Sequence, residues 1–214
     1  IKWSNNKVYA AGNEVLGNMA NILGYEDQQN GRTYYIDKLL EFSEEPPGVD
    51  LKNLAVAGSE YFNFYSYLKN SNIYFAGDQI RGVSVGSSYT FVIPNNAAIV
   101  KAVKDGKLPG NTTTGVPNFT PATLGEQDLV ADFIRYHILV NKTVSDDGLF
   151  GGQVETLRKD SRDEKTYVGV MSDKGVLTFT DKANRSANFI PNKSNNLADR
   201  TLIHLVDNYL IYTE

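Results

Sequence analysis

The sequence predicts an α+β fold. Apolar stripes at helical spacing are concentrated between residues 59 and 137, and strand-like segments follow from residue 154 onward, so helices and strands are segregated rather than alternating. A second observation is self-similarity. Thr33-Tyr34-Tyr35-Ile36-Asp37-Lys38-Leu39-Leu40 returns 170 residues later as Ile203-His204-Leu205-Val206-Asp207-Asn208-Tyr209-Leu210. Upstream of the first copy stands Ala20-Asn21-Ile22, and upstream of the second Ala187-Asn188-Phe189. Repetition at a long period sets the architecture before single elements are assigned. Here it predicts the end of one module followed by a complete second one.

In order along the chain, Lys7–Ala10 and Arg32–Ile36 carry the β-branched and aromatic residues of strands, with Asn13–Leu23 between them as a short helix or an irregular crossing. Ser43-Glu44-Glu45-Pro46-Pro47-Gly48 reads as a linker, because paired prolines interrupt regular structure and the charges stay solvated. The boundaries expected are a C-terminal remnant of a preceding repeat over 1–42, a linker over 43–49 and a complete domain over 50–214. From Ser59, residues Tyr61, Phe62, Phe64, Tyr65 and Leu68 share one helical face that ends at Asn70-Ser71-Asn72. Tyr89–Ile93 is a strand apolar on both faces, hence central and covered on both sides. It stops at Pro94, and Asn95-Asn96 caps a helix from Ala97 to Lys104.

Lys107–Ala122 is a loop rich in Pro, Gly, Thr and Asn, read as an insertion rather than a functional surface. Thr123-Leu124-Gly125-Glu126 has the capping-box pattern and opens a helix with the stripe Leu129, Val130, Phe133, Ile134, His137. Strands are expected at Val154–Leu157, Tyr167–Met171, Val176–Thr180, Leu202–Val206 and near Tyr209–Tyr212. A charged turn lies at Asp160–Lys165, and Asp173-Lys174-Gly175 signals a hairpin.

Composition narrows the function classes. A net charge of -4 with both signs interspersed argues against a nucleic-acid partner. No run of 18 apolar residues suggests a membrane span. The absence of cysteine removes disulfides, thiolate metal sites and cysteine nucleophiles together. Abundant Tyr, Asn, Ser, Thr and Gly suit an extracellular β-rich surface.

Three motifs in order resemble the fasciclin (FAS1) domain family. Tyr89-Thr90-Phe91-Val92-Ile93-Pro94-Asn95-Asn96-Ala97-Ala98-Ile99 is similar to its first motif, a TVFAP-type strand followed by a polar pair and a helix. Leu129–Leu139, ending Arg135-Tyr136-His137-Ile138-Leu139, resembles its central helix with a Tyr-His pair. Leu202–Asp207 resembles its closing motif, NGVIHVID, with Arg200-Thr201 in place of Asn-Gly. Asn30-Gly31-Arg32-Thr33-Tyr34-Tyr35-Ile36-Asp37 is a partial copy that keeps Asn-Gly but has Tyr34 where the His would be. The resemblance implies a fasciclin-like β-wedge with helices packed around it. It also implies adhesion contacts at Tyr136 and His137, and structural roles for Phe91, Pro94, His204, Asp207 and Asp37.

Read from the residues alone, His137 on a helix stripe and His204 within a strand are buried neutral imidazoles rather than ligands, and no His pair stands at zinc spacing. There is neither a Gly-x-Ser-x-Gly elbow nor a phosphate-binding glycine loop. Carboxylates at Glu44-Glu45, Asp146-Asp147 and Asp160–Glu164 read as solvated loop charge. Asp207, between two apolar runs, reads as an acceptor for backbone N–H groups at a turn. Tyr74, Phe75, Phe119 and Phe150 are candidates for stacking on sugar rings, with core or loop-anchoring roles as the alternative. The Asn-x-Ser/Thr sequons at Asn111, Asn118, Asn141, Asn184 and Asn192 read either as glycosylation sites of a eukaryotic secretory pathway or as what chance supplies in so polar a chain, and carry little weight.

The functional expectation is a non-enzymatic adhesion or binding module without cofactor or metal, acting at the bacterial outer surface on a surface protein or glycan. A lipid anchor upstream of residue 1 is part of that expectation. A carbohydrate-recognition component of a surface uptake system is the alternative, and an unrecognised hydrolase a third.

Overall fold

Four N-terminal strands, β1 (Lys2–Ser4), β2 (Lys7–Tyr9), β3 (Ala20–Gln28) and β4 (Gly31–Ile36), pair antiparallel in the order β1-β2-β3-β4. The computed structural model describes residues 1–4, 6–12, 19–41 and 44–214. Of the segment Asn13–Leu23, expected as a helix or crossing, 13–18 lie outside the described residues, and Ala20–Leu23 belong to strand β3.

Helix α1 (Pro47–Leu54) starts inside the segment read as linker. Proline lacks a backbone N–H, but at the first helical position that N–H has no intrahelical partner anyway, so Pro47 opens the helix instead of breaking structure. Helix α2 (Phe62–Lys69) follows on the expected aromatic face, then a small hairpin of β5 (Tyr74–Phe75) and β6 (Gln79–Ile80). Strand β7 (Tyr89–Pro94) leads into α3 (Asn96–Lys104), where Asn95 Oδ1 accepts from the Ala98 N–H at 2.8 Å. The N-cap forms as the sequence predicts, Thr123 Oγ1 accepting from Glu126 N–H at 3.3 Å at the start of α4 (Leu124–Tyr136), but the Glu126 carboxylate takes the Thr123 hydroxyl at 2.8 Å instead of the backbone N–H of a full capping box. Leu129, placed on the buried stripe by spacing, is half-exposed beside a surface cavity.

The remaining strands are β8 (Ile138–Val140), β9 (Gly151–Lys159), β10 (Lys165–Asp173), β11 (Val176–Thr180), β12 (Ser186–Asn188), β13 (Asn196–Ala198) and β14 (Thr201–Val206). They join β7 in one eight-stranded sheet, β12-β11-β10-β9-β8-β7-β14-β13. Only β7 and β14 run parallel, with His204 opposite Val92. The sheet curls until a bridge between Phe189 and Val206 ties the β12 end back to β14. No strand forms at Tyr209–Tyr212, contrary to the pattern. The Leu210 and Ile211 N–H groups go instead to His137 Nε2 (3.0 Å) and Asp181 Oδ2 (3.0 Å), side-chain acceptors that replace a ladder.

Strand β7 divides two cores. Phe91 and Ile93 face the helices and pack with Phe64, Leu68, Ile99 and Ile134, while Val92 faces the inside of the curl with Leu139, Val168, Phe179 and Val206. All these side chains are buried, each contributing about 1.5–3 kcal/mol of transfer free energy. A third, small cluster joins the N-terminal sheet to the body, with Tyr9 and Met19 against Leu197 and Leu202. Gly12 and Leu197 exchange backbone hydrogen bonds of 3.1 and 2.8 Å at that junction, and Lys2 Nζ meets Asp146 Oδ1 at 2.5 Å. Tyr9, Ala20 and Ile22 are thus buried, whereas the distal part of the hairpin stands clear, with Tyr34 and Leu39 exposed.

Candidate functional site

Tyr136 and His137, the pair that the resemblance marks for adhesion, occupy the junction of α4 and β8, and both are in the interior. His137 terminates the helix. Its Nδ1–H donates to the Phe133 carbonyl at 2.8 Å, one turn back, and its Nε2 accepts the Leu210 N–H at 3.0 Å. Both ring nitrogens are therefore spent on the backbone of this chain. Burial, partly offset by the Phe133 carbonyl, lowers its pKa to about 4 and keeps the ring neutral. Tyr136 sends its hydroxyl to the Tyr167 carbonyl at 3.1 Å, and burial raises its pKa to about 12. Direct contact of either ring with a partner does not fit this placement. Their geometry assigns them to the packing between α4 and the curl of the sheet.

His204 is held in the same manner on the other side of the molecule's core. Asn195 N–H donates to its Nδ1 at 3.3 Å, and its Nε2–H donates to the Val144 carbonyl at 2.9 Å. Phe179 and Phe189 lie against its ring, with centroids 6.2 and 5.7 Å away, and burial lowers its pKa to about 4. Phe91 is wholly buried in β7, and Pro94 ends that strand opposite Val206, where the next N–H, of Asn95, returns to the Val206 carbonyl at 2.9 Å.

Asp207 and Asp37 form the same clasp. The Asp207 N–H donates to the Asn188 carbonyl at 2.9 Å, while its carboxylate accepts the Asn188 N–H (2.7 Å) and Nδ2–H (3.2 Å). The Asp37 N–H donates to the Asn21 carbonyl at 3.1 Å, and its carboxylate accepts the Asn21 N–H (2.8 Å) and Nδ2–H (2.5 Å). The Asn21 side chain and then its backbone N–H hold Asp37 below the usual carboxylate range. The acceptor role expected of Asp207 is present, but its donor is Asn188, the last residue of β12, rather than a residue of a local turn. The Ala-Asn-apolar steps seen in the sequence supply both asparagines, although nothing in the sequence connected them to the aspartates.

Two surface depressions lie near this framework. One, a cavity of about 100 Å³, is lined by Leu129, Asp132, Phe133, Tyr136, Arg158 and Tyr212. The other is an open groove of about 490 Å³ over β9, β10 and β11, with Gln153, Lys165, Tyr167, Lys182 and Asn184 around it. Tyr167 is 43% exposed there. The four aromatics proposed for sugar stacking are dispersed. Phe119 packs edge-on against Tyr67 and Phe62, Tyr74 bonds to Tyr65 and Asp78, and Phe150 lies half-buried under Lys142. Phe75 is exposed, with the Arg81 guanidinium over its ring at 4.8 Å. Asp146 departs from solvated loop charge. Burial would raise its pKa, but the Lys2 ammonium, the Asn195 side chain and the backbone together outweigh that and leave it lowered. No group of three or more metal-ligating side chains is present among the described residues.

The curled mixed sheet, flanked by four helices and split into two cores by a central strand, is the fasciclin-like (FAS1) fold. A solved FAS1 domain pair from the insect cell adhesion molecule fasciclin I is similar to 91% of this chain, with a TM-score of 0.53 and 15% sequence identity. The chain spans 60% of the length of that domain pair. No protein-family model and no curated protein matches the sequence.

Proposed function

We propose that this chain is a non-enzymatic binding module of the adhesion type, acting outside the cell or on its surface through protein–protein or protein–glycan contacts. The observation that carries the proposal is the fold: the FAS1 domain pair similar to 91% of the chain belongs to a cell adhesion molecule. The chemistry of the interior supports it. Both histidines, the side chains best suited to proton transfer near neutral pH, have their two ring nitrogens bonded to backbone and are held neutral. What the body offers to a partner is a rigid sheet-and-helix frame carrying exposed loops. The cysteine-free composition supports a bacterial outer surface, where a lipid anchor on the natural polypeptide would tether the module. No described helix is long and apolar enough to cross a membrane.

A panel of immobilised extracellular matrix and cell-surface proteins, read by biolayer interferometry, tests this reading. Saturable binding without turnover of any chromogenic ester, peptide or glycoside is expected. Turnover that disappears on Asp132→Asn or Asp181→Asn would overturn it. A carbohydrate-recognition role is favoured by one observation, the groove around Tyr167, where an exposed ring stands beside amide and ammonium groups able to bond sugar hydroxyls. Saturable binding on a glycan array that is lost in Tyr167→Ala would put that reading first.

A further inference from the structure

The N-terminal sheet leaves in solvent part of a face that corresponding strands in the body bury: Trp3 and Tyr34 are exposed and Val8 and Ile36 half-buried, while Ala20 and Ile22 are covered. Trp3 pairs with Val8 and Val8 with Ala20, as Val170 pairs with Phe179 and Phe179 with Ala187. The Ile22–Ile36 pair then falls where Phe189 bridges Val206. Even the flanking bond is repeated, since the Ile22 N–H donates to the Asn6 carbonyl as the Phe189 N–H donates to the Leu177 carbonyl. With the two Asn–Asp clasps aligned, β1-β2-β3-β4 follows the register of β10-β11-β12-β14, and Tyr34 takes the place of His204. Strand β3, carrying one bulge between Ile22 and Gly24, does alone what β12 and β13 do together.

In the body these positions are interior: Val170, Phe179, Ala187, Phe189, His204 and Val206 are no more than 7% exposed. Trp3 is 60% exposed and Tyr34 41%, and with Tyr25 they form an aromatic row at centroid spacings of 6.3 and 6.2 Å. Among the described residues, β1 and β4 also each have one unpaired edge. In the body the matching edges are joined through three strands, since β9 pairs with β10, β7 pairs with β14, and β8 lies between β7 and β9. The row carries one cation, Arg32, which lies over the Tyr25 ring at 4.0 Å and is paired with Asp27 at 2.6 Å. An open strand edge beside an exposed aromatic row is an incomplete sheet, prone to take up whatever strand fits it.

We propose that a segment of the natural polypeptide N-terminal to Ile1 closes this sheet. It supplies three strands equivalent to β7, β8 and β9, the first parallel to β4, and the Trp3–Tyr34–Tyr25 row becomes the inner wall of a second fasciclin-like core. The inference rests on the registers and is independent of the adhesion reading.

The chain has no cysteine, so single-cysteine variants report on burial directly. Tyr34→Cys is placed in the 1–214 chain and in the natural polypeptide, any upstream cysteine being replaced by serine, and thiol labelling is timed in each. Tyr34→Cys should label at least about 100-fold more slowly in the longer protein, as expected for a core position reached only by opening. Val85→Cys, in an exposed loop of the body, should differ by less than about 3-fold between the two. Trp3→Cys gives the same readout if Tyr34→Cys does not fold. Equal labelling in both proteins overturns the proposal, as does a natural polypeptide that begins at Ile1. Protection in the 1–214 chain that grows with concentration also overturns it, assigning the face to a second copy.

Discussion

Acidification from pH 7 to 4.5 protonates His137 and His204 in the unfolded chain but leaves both largely neutral in the folded one. Burial sets each folded pKa at about 4, against an ordinary value of 6.5. Between those values the unfolded state binds more protons, so stability rises with pH across the window, is fully present above 6.5, and is lost as pH falls toward 4. At about 1.4 kcal/mol per pH unit, and allowing for the onset of protonation in the folded state near pH 4.5, the fall from 6.5 to 4.5 removes about 2.5 kcal/mol for each histidine and about 5 for the pair. That is a large part of a typical domain stability of about 5–15 kcal/mol. The carboxylates with perturbed pKa values, Asp78 and Asp146 among them, are lowered from 3.8 and titrate below this range. Urea denaturation followed by circular dichroism at pH 7, 6, 5 and 4.5 measures the loss, with an unchanged m-value expected. Proton NMR of the two imidazole rings supplies the independent check. Folded-state titration of either ring near pH 6.5, or stability that is flat from pH 7 to 4.5, would refute the reasoning.

Other perturbations probe separate parts of the frame. Gly48→Ala would put a Cβ 1.9 Å from the Asp78 carbonyl oxygen, so α1 must separate from the β5–β6 hairpin; a loss of about 3 kcal/mol is expected in urea titration. Phe91→Ala, at a position with no exposure in the core between sheet and helices, should cost about 3–5 kcal/mol in the same assay. Thr123→Ala removes the cap of α4 and should lower stability by about 1 kcal/mol, whereas Thr123→Ser should restore most of it.

The parts of the fold legible in the sequence were those where local pattern and tertiary environment agree. Strand β7, with apolar residues on both faces, and helix α4, with a capping-box pattern and a stripe, declare themselves because the same residues that favour the element also bury it. Pro46-Pro47 has the local pattern of a breaker, yet at the first helical position Pro47 opens α1. Strands β12 and β13 leave no local signal, because Ser186-Ala187-Asn188 and Asn196-Leu197-Ala198 have little strand propensity of their own; their partners β11 and β14 impose the conformation. Tyr209–Tyr212 carried strand character, but His137 and Asp181 intercept its N–H groups, and those acceptors lie far away in sequence. Burial of His137 and His204 followed from the stripe and the strand. Their backbone partners did not, since Leu210 and Val144 approach only through the tertiary fold. The Asn21–Asp37 and Asn188–Asp207 clasps show the same division: each step is visible in sequence, while the pairing needs the sheet.

The proposal that the strands β1 to β4 repeat the unit formed by β10, β11, β12 and β14 is tested most directly by a crystal structure of the 1–214 chain. Cα atoms of 2–4, 6–9, 20–22 and 31–37 should superpose on 169–171, 177–180, 187–189 and 201–207 in a single rigid fit, with Asn21–Asp37 falling on Asn188–Asp207. An Asp37 carboxylate turned away from the Asn21 amide, or a different strand order from β1 to β4, would contradict it.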